Sequence, residues 1–339
     1  MRLVLQRRRS PPTHLVIPMQ TATAIAHPNI ALVKYWGKRN TALNLPAVPS
    51  LSLTLDTFRT RTQVVWGVEH DAVHIDGAPA PEAFARRVTD FLDVISPRRP
   101  GCMVLTENNF PSGAGLASSA SGFAALAVAA TRAAGRTDDR TALSIIARRG
   151  SGSACRSLFG GFVEWPMGQR PDGSDSHGIP LAARSYWAVA MVVAVVTDRK
   201  KSVASTEGME LSRRTSPFYK SFVDTAAIDL DMARDAVYDR DLEALGTVME
   251  RSTLKMHSVM MTTDPAILYW LPNTLAVLHA VRELRSQGIG AWATMDAGPQ
   301  VKILCMSTDS DRVVDAIRPH AHRIHVLHPG PGASLDEEE

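Results

Sequence analysis

A glycine-rich turn that leads directly into an alanine-rich segment is the feature that most restricts how this chain folds. The turn, N-F-P-S-G-A-G-L-A-S-S-A, covers residues 109–120, and residues 118–134 are mostly apolar on all sides. A helix of that composition is predicted to be buried. Glycines let backbone N–H groups approach an anion, and the start of a helix attracts phosphate, to which serine hydroxyls also donate. The turn therefore predicts either a phosphate site or an ordinary serine-capped helix.

Two better-known glycine loops are excluded. The sequence contains no G-x-x-x-x-G-K-[ST], so the chain is not a P-loop protein. The pair Gly113 and Gly115 lacks the third glycine, and the acidic residue that binds a ribose, of the dinucleotide-binding fingerprint.

The composition is ordinary for a soluble globular protein. Of 339 residues, 45% are hydrophobic and 21% are charged, and the net charge of +3 is too small to indicate nucleic acid as a partner. Residues 1–20 are expected to form a flexible basic extension, and residues 331–339 a solvated acidic tail that ends in D-E-E-E.

The cysteines and the apolar runs favour a cytoplasmic protein that does not enter the membrane. Cys102, Cys155 and Cys305 are far apart and odd in number, so we expect no disulfide framework and a reducing compartment. The longest apolar run, at residues 186–196, is too short to span a bilayer and predicts a buried strand. Four histidines between residues 320 and 328 match no metal-binding spacing, so no metal site is expected there.

The pattern of strands and helices predicts an α+β protein with mixed or antiparallel sheets. Strands are expected at residues 50–58, with one polar face, and at 62–66, 102–106, 158–165, 188–196, 301–306 and 323–327. Helices are expected at residues 81–95, 118–134, 140–149 and 309–317, and over most of 216–287. A stretch rich in Gly, Pro, Ser and Asp before residue 186 suggests a division into domains at 21–185 and 186–330.

Three further segments carry residues suited to an anionic ligand. In A-H-P-N-I-A-L-V-K-Y-W-G-K-R, residues 26–39, a strand ends in three cations around two aromatic rings. In residues 149–165, Arg156 lies among glycines and serines, where its planar fork could hold a carboxylate. In T-M-D-A-G-P-Q, residues 294–300, a single acid precedes a turn. Each segment also has an ordinary explanation: a solvated strand end, a surface turn and an aspartate that favours turns.

Together these segments resemble the GHMP kinase superfamily. Its phosphate loop is usually P-x-G-x-G-L-G-S-S-A, and Ala117 in place of the third glycine is typical of the diphosphomevalonate decarboxylase branch, as are K-Y-W-G-K and D-A-G-P. The resemblance implies a two-lobed fold with helices packed on one side of the sheets and the active site in the cleft between the lobes. It also implies a homodimer.

The resemblance also implies roles for individual residues. Asp296 would be the catalytic aspartate that takes or orients the hydroxyl proton, Arg156 would hold the substrate carboxylate, Asn29 would support the catalytic centre, and Lys38 would act there and on the substrate phosphates. Tyr35, Ser151 and Ser153 would contact the same phosphates, as would Ser205 and Thr206 in a weaker match to K-K-x-x-S-[ST]-x-G-M at residues 200–209. ATP would be bound by Pro111, Ser112, Gly113, Ala114, Gly115, Leu116, Ala117, Ser118 and Ser119. Gln300 departs from the asparagine that is common in the family.

The activity implied is ATP-dependent decarboxylation of mevalonate 5-diphosphate to isopentenyl diphosphate, CO2, ADP and phosphate, with Mg2+ as the metal that accompanies ATP. Decarboxylation of mevalonate 5-phosphate and 3-phosphorylation of mevalonate remain alternatives on the same fold. A kinase of another small alcohol and a non-enzymatic descendant are the other open interpretations.

Overall fold

The computed structural model describes residues 20–110, 118–199 and 202–336. Its strands are β1 Gln20–Ala26, β2 Asn29–Val33, β3 Lys38–Asn40, β4 Leu45–Pro46, β5 Ser50–Thr54, β6 Thr60–Val68, β7 Ala72–Ile75, β8 Ala78–Pro79, β9 Gly101–Asn108, β10 Phe162–Trp165, β11 Ile179–Ala182, β12 Val189–Val195, β13 Ala291–Met295, β14 Val301–Met306, β15 Arg323–Leu327 and β16 Ser334–Leu335. Its helices are α1 Glu82–Ile95, α2 Ser118–Ala133, α3 Arg140–Gly150, α4 Ala154–Ser157, α5 Ser205–Thr215, α6 Tyr219–Asp239, α7 Leu242–Met261, α8 Pro272–Ser286 and α9 Ser310–Ile317.

The first sheet carries the alanine-rich helix. Its strand order is β16-β1-β6-β9-β7-β8, antiparallel except for the parallel pair β7 and β9. Most side chains of α2 are buried, and the indole N–H of Trp66 on β6 donates to the carbonyl of Ala130, 3.1 Å away. Alanines allow a helix to approach a sheet closely, and α2 packs on β1 and β6. Its first turn, which contains Ser118 and Ser119, lies near the start of β6, where Oγ1 of Thr60 is 2.7 Å from Oγ of Ser121.

Two four-stranded sheets bring the remaining site segments together. Their strand orders are β11-β10-β5-β2 and β13-β14-β12-β15. Alternate residues of β12 belong to two different cores: Val193 packs with residues of β2, β5, α6 and α7, while Val192 packs with α8 and α9. Because one core joins both sheets, the end of β2 and the end of β13 are fixed relative to each other.

The architecture confirms the predicted α+β class, and it corrects some details. The strand expected at residues 50–58 ends at Thr54 and is buried on both faces, rather than solvated on its polar face. The strand expected at 158–165 begins only at Phe162, because Gly161 adopts a φ of +70° where the chain turns against Ala182.

The acidic tail is not simply solvated. Leu335 and Ser334 pair with Ala24 and Ile25 of β1, and Oδ2 of Asp336 lies 2.6 Å from Nε of Arg61. The expectation of a solvated tail is therefore wrong for these residues, while residues 337–339 lie outside the described part of the chain, as does the predicted extension up to residue 19. The division into domains after residue 185 stays a prediction.

No helix in the described ranges has both the length and the apolar character needed to cross a membrane.

Candidate active site

A cavity of about 350 Å³ lies where the predicted site segments meet. Of the predicted site residues, the structure places ten in its wall: Asn29, Tyr35, Lys38, Ser119, Ser151, Ser153, Arg156, Ser205, Thr206 and Asp296. Ser118 instead borders a second cavity, and the loop from Pro111 to Ala117 lies outside the described residues. Segments far apart in the sequence therefore line one cavity.

Asp296 follows β13 and lies between two buried lysines. Its Oδ1 is 2.8 Å from Nζ of Lys34, which follows β2, and its Oδ2 is 3.2 Å from Nζ of Lys302 on β14. The lysine side chains are 1% and 2% exposed, whereas that of Asp296 is 30% exposed. The carboxylate is thus the most exposed member of this triad.

The two lysines control the ionisation of Asp296. Burial alone would raise the pKa of this carboxyl group, but the charges of Lys302 and Lys34 hold it well below its usual range. Burial lowers the pKa of Lys34 to about 8, although the charge of Asp296 opposes this shift. Near neutral pH the carboxylate is therefore ionised, and most Lys34 is protonated.

Arg156 is a buried cation whose partners are neutral. Its guanidinium donates to Oγ of Ser50 at 2.6 Å and of Ser52 at 2.9 Å, and to Oδ1 of Asn29 at 3.1 and 3.3 Å. These hydroxyls explain why the polar face of β5 is buried. No carboxylate is a salt-bridge partner of Arg156 within the described ranges, so the cavity has a site suited to an anionic ligand.

A second group of donors lines another part of the cavity wall. Nζ of Lys38 donates to Oδ1 of Asn44 at 2.6 Å, and Arg87 on α1 donates to the carbonyl of Gly150 at 2.6 Å while lying over the ring of Phe123. Burial, and then the charge of Arg87, lower the pKa of Lys38. Two cations in the wall of one cavity favour a highly charged anion as ligand.

Hydroxyl groups complete this donor group. Oγ of Ser151 lies 3.5 Å from Oγ of Ser119, and Ser153 precedes α4. The hydroxyl of Tyr35 is buried and has no hydrogen-bond partner among the described residues. Burial raises the pKa of that phenol, so it remains protonated and able to donate.

The second cavity, of about 150 Å³, lies beside the start of α2. Ser118 and Ser119 border it, and Ser119 also borders the larger cavity. The rest of its wall combines apolar side chains such as Phe84 and Val88 with the hydroxyls of Thr60, Thr62 and Thr106. A site with an apolar part and hydroxyl donors, next to the start of a helix whose preceding turn is predicted to bind phosphate, suits a nucleoside.

Comparison with known proteins identifies the family. Residues 26–178 match the diphosphomevalonate decarboxylase-like N-terminal domain, and residues 191–327 match the mevalonate 5-diphosphate decarboxylase C-terminal domain. A diphosphomevalonate decarboxylase of Candida albicans is 36% identical over 321 residues, which cover 89% of this chain and 89% of that protein. The chain belongs to the diphosphomevalonate decarboxylase family.

Solved structures of this family share the fold. A mevalonate diphosphate decarboxylase from Staphylococcus aureus is 34% identical, with a TM-score of 0.90 over 96% of this chain and 100% of that chain. MDDEF in complex with MVAPP, AMPPCP and magnesium is 37% identical, with a TM-score of 0.89 over 94% and 100%. The predicted GHMP-kinase-like fold is confirmed.

Several residues around this decarboxylase-family cavity were not predicted. Lys34 is the first residue of the K-Y-W-G-K segment. Lys302 is the only charged residue within β14, V-K-I-L-C-M, and a single charge in an apolar strand is a recognisable sign of a buried ionic partner. Arg87 sits in an ordinary amphipathic helix, and Ser50 and Ser52 sit in an alternating strand, so nothing local to the sequence marked them.

Gln300, which stands where the family commonly has asparagine, is held in place by two hydrogen bonds. Its Oε1 accepts a hydrogen bond from the backbone N–H of Val196 at 2.7 Å, and its Nε2 donates to the carbonyl of Thr197 at 2.6 Å. The side chain is buried and links the turn after Asp296 to the end of β12. The substitution therefore leaves the turn anchored.

Cys155 lies next to Arg156 but has no access to the cavity. It is fully buried, and burial raises the pKa of its thiol to about 12. A thiol of this kind is not a ready nucleophile.

Proposed function

We propose that this protein carries out the ATP-dependent decarboxylation of mevalonate 5-diphosphate to isopentenyl diphosphate, CO2, ADP and phosphate. The observation that carries the proposal is the presence, in one cavity, of the ionised Asp296 and of the buried Arg156, whose hydrogen-bond partners among the described residues are all neutral. A 3-hydroxy acid needs one group for its hydroxyl and another for its carboxylate. The MDDEF structure, with MVAPP and AMPPCP bound, supports the same pair of substrates here.

The chemistry requires a leaving group β to the carboxylate. Transfer of the γ-phosphoryl group of ATP to the tertiary 3-hydroxyl releases the hydroxyl proton and leaves ADP. The C–O bond to the new phosphate then breaks, and so does the bond to the carboxylate carbon, whose electron pair forms the alkene. Phosphate and CO2 depart, so the electrons from decarboxylation need no oxidant.

Asp296 would orient the 3-hydroxyl and accept its proton late in the transfer. Lys34 and Lys302 hold the pKa of this carboxyl group too low for it to be a strong base in the resting site. A loose phosphoryl-transfer transition state needs positioning and charge stabilisation more than early proton removal. Lys34, which borders the cavity, would stabilise the negative charge on the oxygen under transfer.

Arg156 would hold the substrate carboxylate. The hydrogen bonds from its Nε and Nη2 to Asn29 fix the plane of the guanidinium. A fixed fork can align the bond to the carboxylate carbon with the departing phosphate, which a mobile ammonium could not do. Asn29 would therefore act by holding the arginine, beside any direct contact.

ATP would bind across the start of α2. The cavity of about 150 Å³ would receive the nucleoside, and Ser118, Ser119 and the loop 111–117 would hold the phosphates. In the described residues no group of three or more His, Cys, Asp or Glu could ligate a metal by itself. Magnesium would therefore be held largely by the phosphates of the nucleotide, and the hydroxyl of Ser119 lies where the two cavities meet. Bound magnesium would neutralise phosphate charge.

The 5-diphosphate would occupy the part of the cavity lined by Lys38 and Arg87. Tyr35, Ser151 and Ser153 add donors there, and Ser205 and Thr206 lie in the same cavity wall. Two cations and several hydroxyls match a diphosphate better than a monophosphate or a free alcohol. This supports the diphosphate over the other mevalonate substrates.

Comparison of three substrates tests the assignment. We expect kcat/KM for CO2 release to be at least 100-fold higher with mevalonate 5-diphosphate than with the 5-phosphate or with mevalonate. A preference for the monophosphate would contradict the diphosphate assignment, and phosphorylation without CO2 on all three would contradict the decarboxylase assignment.

We also propose that the protein works in the cytoplasm as a homodimer. The three cysteines are free and buried, in keeping with a reducing compartment. Light scattering of the purified chain should give twice the monomer mass, and the monomer mass would contradict the dimer.

A further inference from the structure

The two lysines that contact Asp296 are not equivalent. Lys34 borders the cavity and comes from the end of β2, in a different sheet from the carboxylate. Lys302 is not among the described residues that line the cavity, and it lies on β14 opposite Thr294, two residues before Asp296. The ammonium of Lys34 therefore approaches the carboxylate from the side of the cavity. The ammonium of Lys302 approaches it from the sheet that contains β13, the strand before Asp296.

Lys302 is buried and has Asp296 as its counterion. Its side chain is 2% exposed, and Asp296 is its one ionic partner among the residues that the structure describes. A buried ammonium without a counterion is strongly unfavourable, so this contact is maintained whether or not a ligand is bound. Lys34 differs because its ammonium can also interact with whatever fills the cavity.

We propose that Lys302 is a positioning residue for the decarboxylation: it holds Oδ2 of Asp296 from the side of the sheet, so that the carboxylate presents Oδ1, together with Lys34, to the cavity. The inference rests on the proposed function, because it assigns a role within that reaction. In this division, Lys34 interacts with the substrate, and Lys302 positions the carboxylate of Asp296.

The charges that face Asp296 agree with this division. Lys34 and Lys302 touch it, and Arg156 and His257 on α7 lie close enough to interact with it. His257 accepts a hydrogen bond from the indole N–H of Trp270 at 2.9 Å, and burial lowers its pKa to about 3, so it contributes no charge. Loss of Lys302 would therefore remove one of the two ammoniums in contact with the carboxylate, and the pKa of Asp296 would rise.

The test is steady-state kinetics near neutral pH in Lys302→Met and Lys302→Arg. We expect Lys302→Met to lower kcat roughly 10- to 100-fold, with KM for both substrates changed less than about threefold. Asp296 stays ionised at this pH because Lys34 remains beside it, so the loss reflects the position of the carboxylate and not its protonation. Lys302→Arg keeps the charge and should recover most of the lost kcat.

Lys255→Met is the matched control. Nζ of Lys255 lies 2.6 Å from Oδ2 of Asp229, whose side chain is 3% exposed, and neither residue lines the cavity of about 350 Å³. This variant removes a buried carboxylate's ammonium partner and should keep the wild-type kcat and KM.

Three results would overturn the proposal: an unchanged kcat in Lys302→Met, a loss of kcat that Lys302→Arg shares in full, or the same loss in Lys255→Met. If Lys302→Met is insoluble, Lys302→Gln keeps a hydrogen-bond donor without the charge and carries the same expectations. Failure of the wild-type protein to release CO2 would instead contradict the proposed function, so the two failures are distinguishable.

Discussion

The amide oxygen of Asn29 accepts hydrogen bonds from both Nε and Nη2 of Arg156, at 3.3 and 3.1 Å. The amide cannot turn away, because its Nδ2 donates to Oγ of Ser157 at 2.8 Å and to the carbonyl of Ser153 at 3.1 Å. The start of β2 is thereby fixed to α4 through a neutral group. Since Asn29 orients the guanidinium without neutralising it, the charge of Arg156 remains available to a ligand.

Replacement of Arg156 by lysine should therefore fail to preserve activity. Arg156→Lys keeps a positive charge but loses the fork held by Asn29, Ser50 and Ser52, and we expect kcat/KM for mevalonate 5-diphosphate to fall at least 100-fold. Steady-state kinetics measures the change. Arg149→Lys, in the same segment but outside the cavity wall, is the control and should behave as the wild type. Equal losses of kcat/KM in Arg156→Lys and Arg149→Lys would contradict the role of Arg156 in holding the substrate carboxylate.

The activity of the free enzyme should fall at alkaline pH. Burial lowers the pKa of Lys34 to about 8 from its ordinary value of 10.5, so the ammonium beside Asp296 loses its proton as the pH rises through about 8. If the protonated form is required, the logarithm of kcat/KM should decrease above this pH. Bound substrate adds negative charge and favours the ammonium, so the limb in kcat should lie at higher pH. A flat profile of kcat/KM up to pH 9.5 would contradict the role of Lys34.

Arg87 and its neighbour on α1 offer a test of the diphosphate subsite. Arg87 lines the cavity, whereas Arg86 is 70% exposed and pairs with Glu82 on the same helix. Arg87→Met should raise KM for mevalonate 5-diphosphate about 10- to 100-fold, since a charge-assisted contact to phosphate is lost. Arg86→Met should change KM less than twofold. Indistinguishable values would place the diphosphate elsewhere.

Asp296→Asn should nearly abolish turnover while nucleotide binding persists. The amide keeps the shape of the side chain but cannot take the hydroxyl proton, and it leaves two buried ammoniums without a counterion. We expect kcat to fall by about 10²- to 10⁴-fold or more. Titration with an ATP analogue should give a Kd within about threefold of the wild type. Substantial residual turnover would show that another group has this role.

The sequence was sufficient for elements that depend on local patterns. The glycine turn, K-Y-W-G-K and D-A-G-P each combine unusual residue types at short spacing, and the helix after the turn and the strand after D-A-G-P lie close to their predicted bounds. The helix predicted at residues 118–134 is α2, Ser118–Ala133, and the strand predicted at 301–306 is β14. Composition and periodicity act over such short distances.

The sequence was insufficient where a residue acquires its role from a distant partner. The alternation in β5 predicted a solvated polar face, yet Ser50 and Ser52 are buried because Arg156, more than 100 positions away, uses their hydroxyls. In the same way, Lys302 and Arg87 acquire their surroundings only when sheets and helices pack together. Strand periodicity shows that a strand has a polar face. It does not show whether that face is buried, because burial depends on how the elements pack together.

The ratio of CO2 to ADP is the most direct test of the central claim. Purified protein, ATP, magnesium and mevalonate 5-diphosphate are incubated together, and ADP and CO2 are measured in the same sample over the initial phase of the reaction. We predict one CO2 for each ADP, with isopentenyl diphosphate as the organic product. Formation of ADP without CO2 would contradict the claim and would identify the protein as a kinase on this fold.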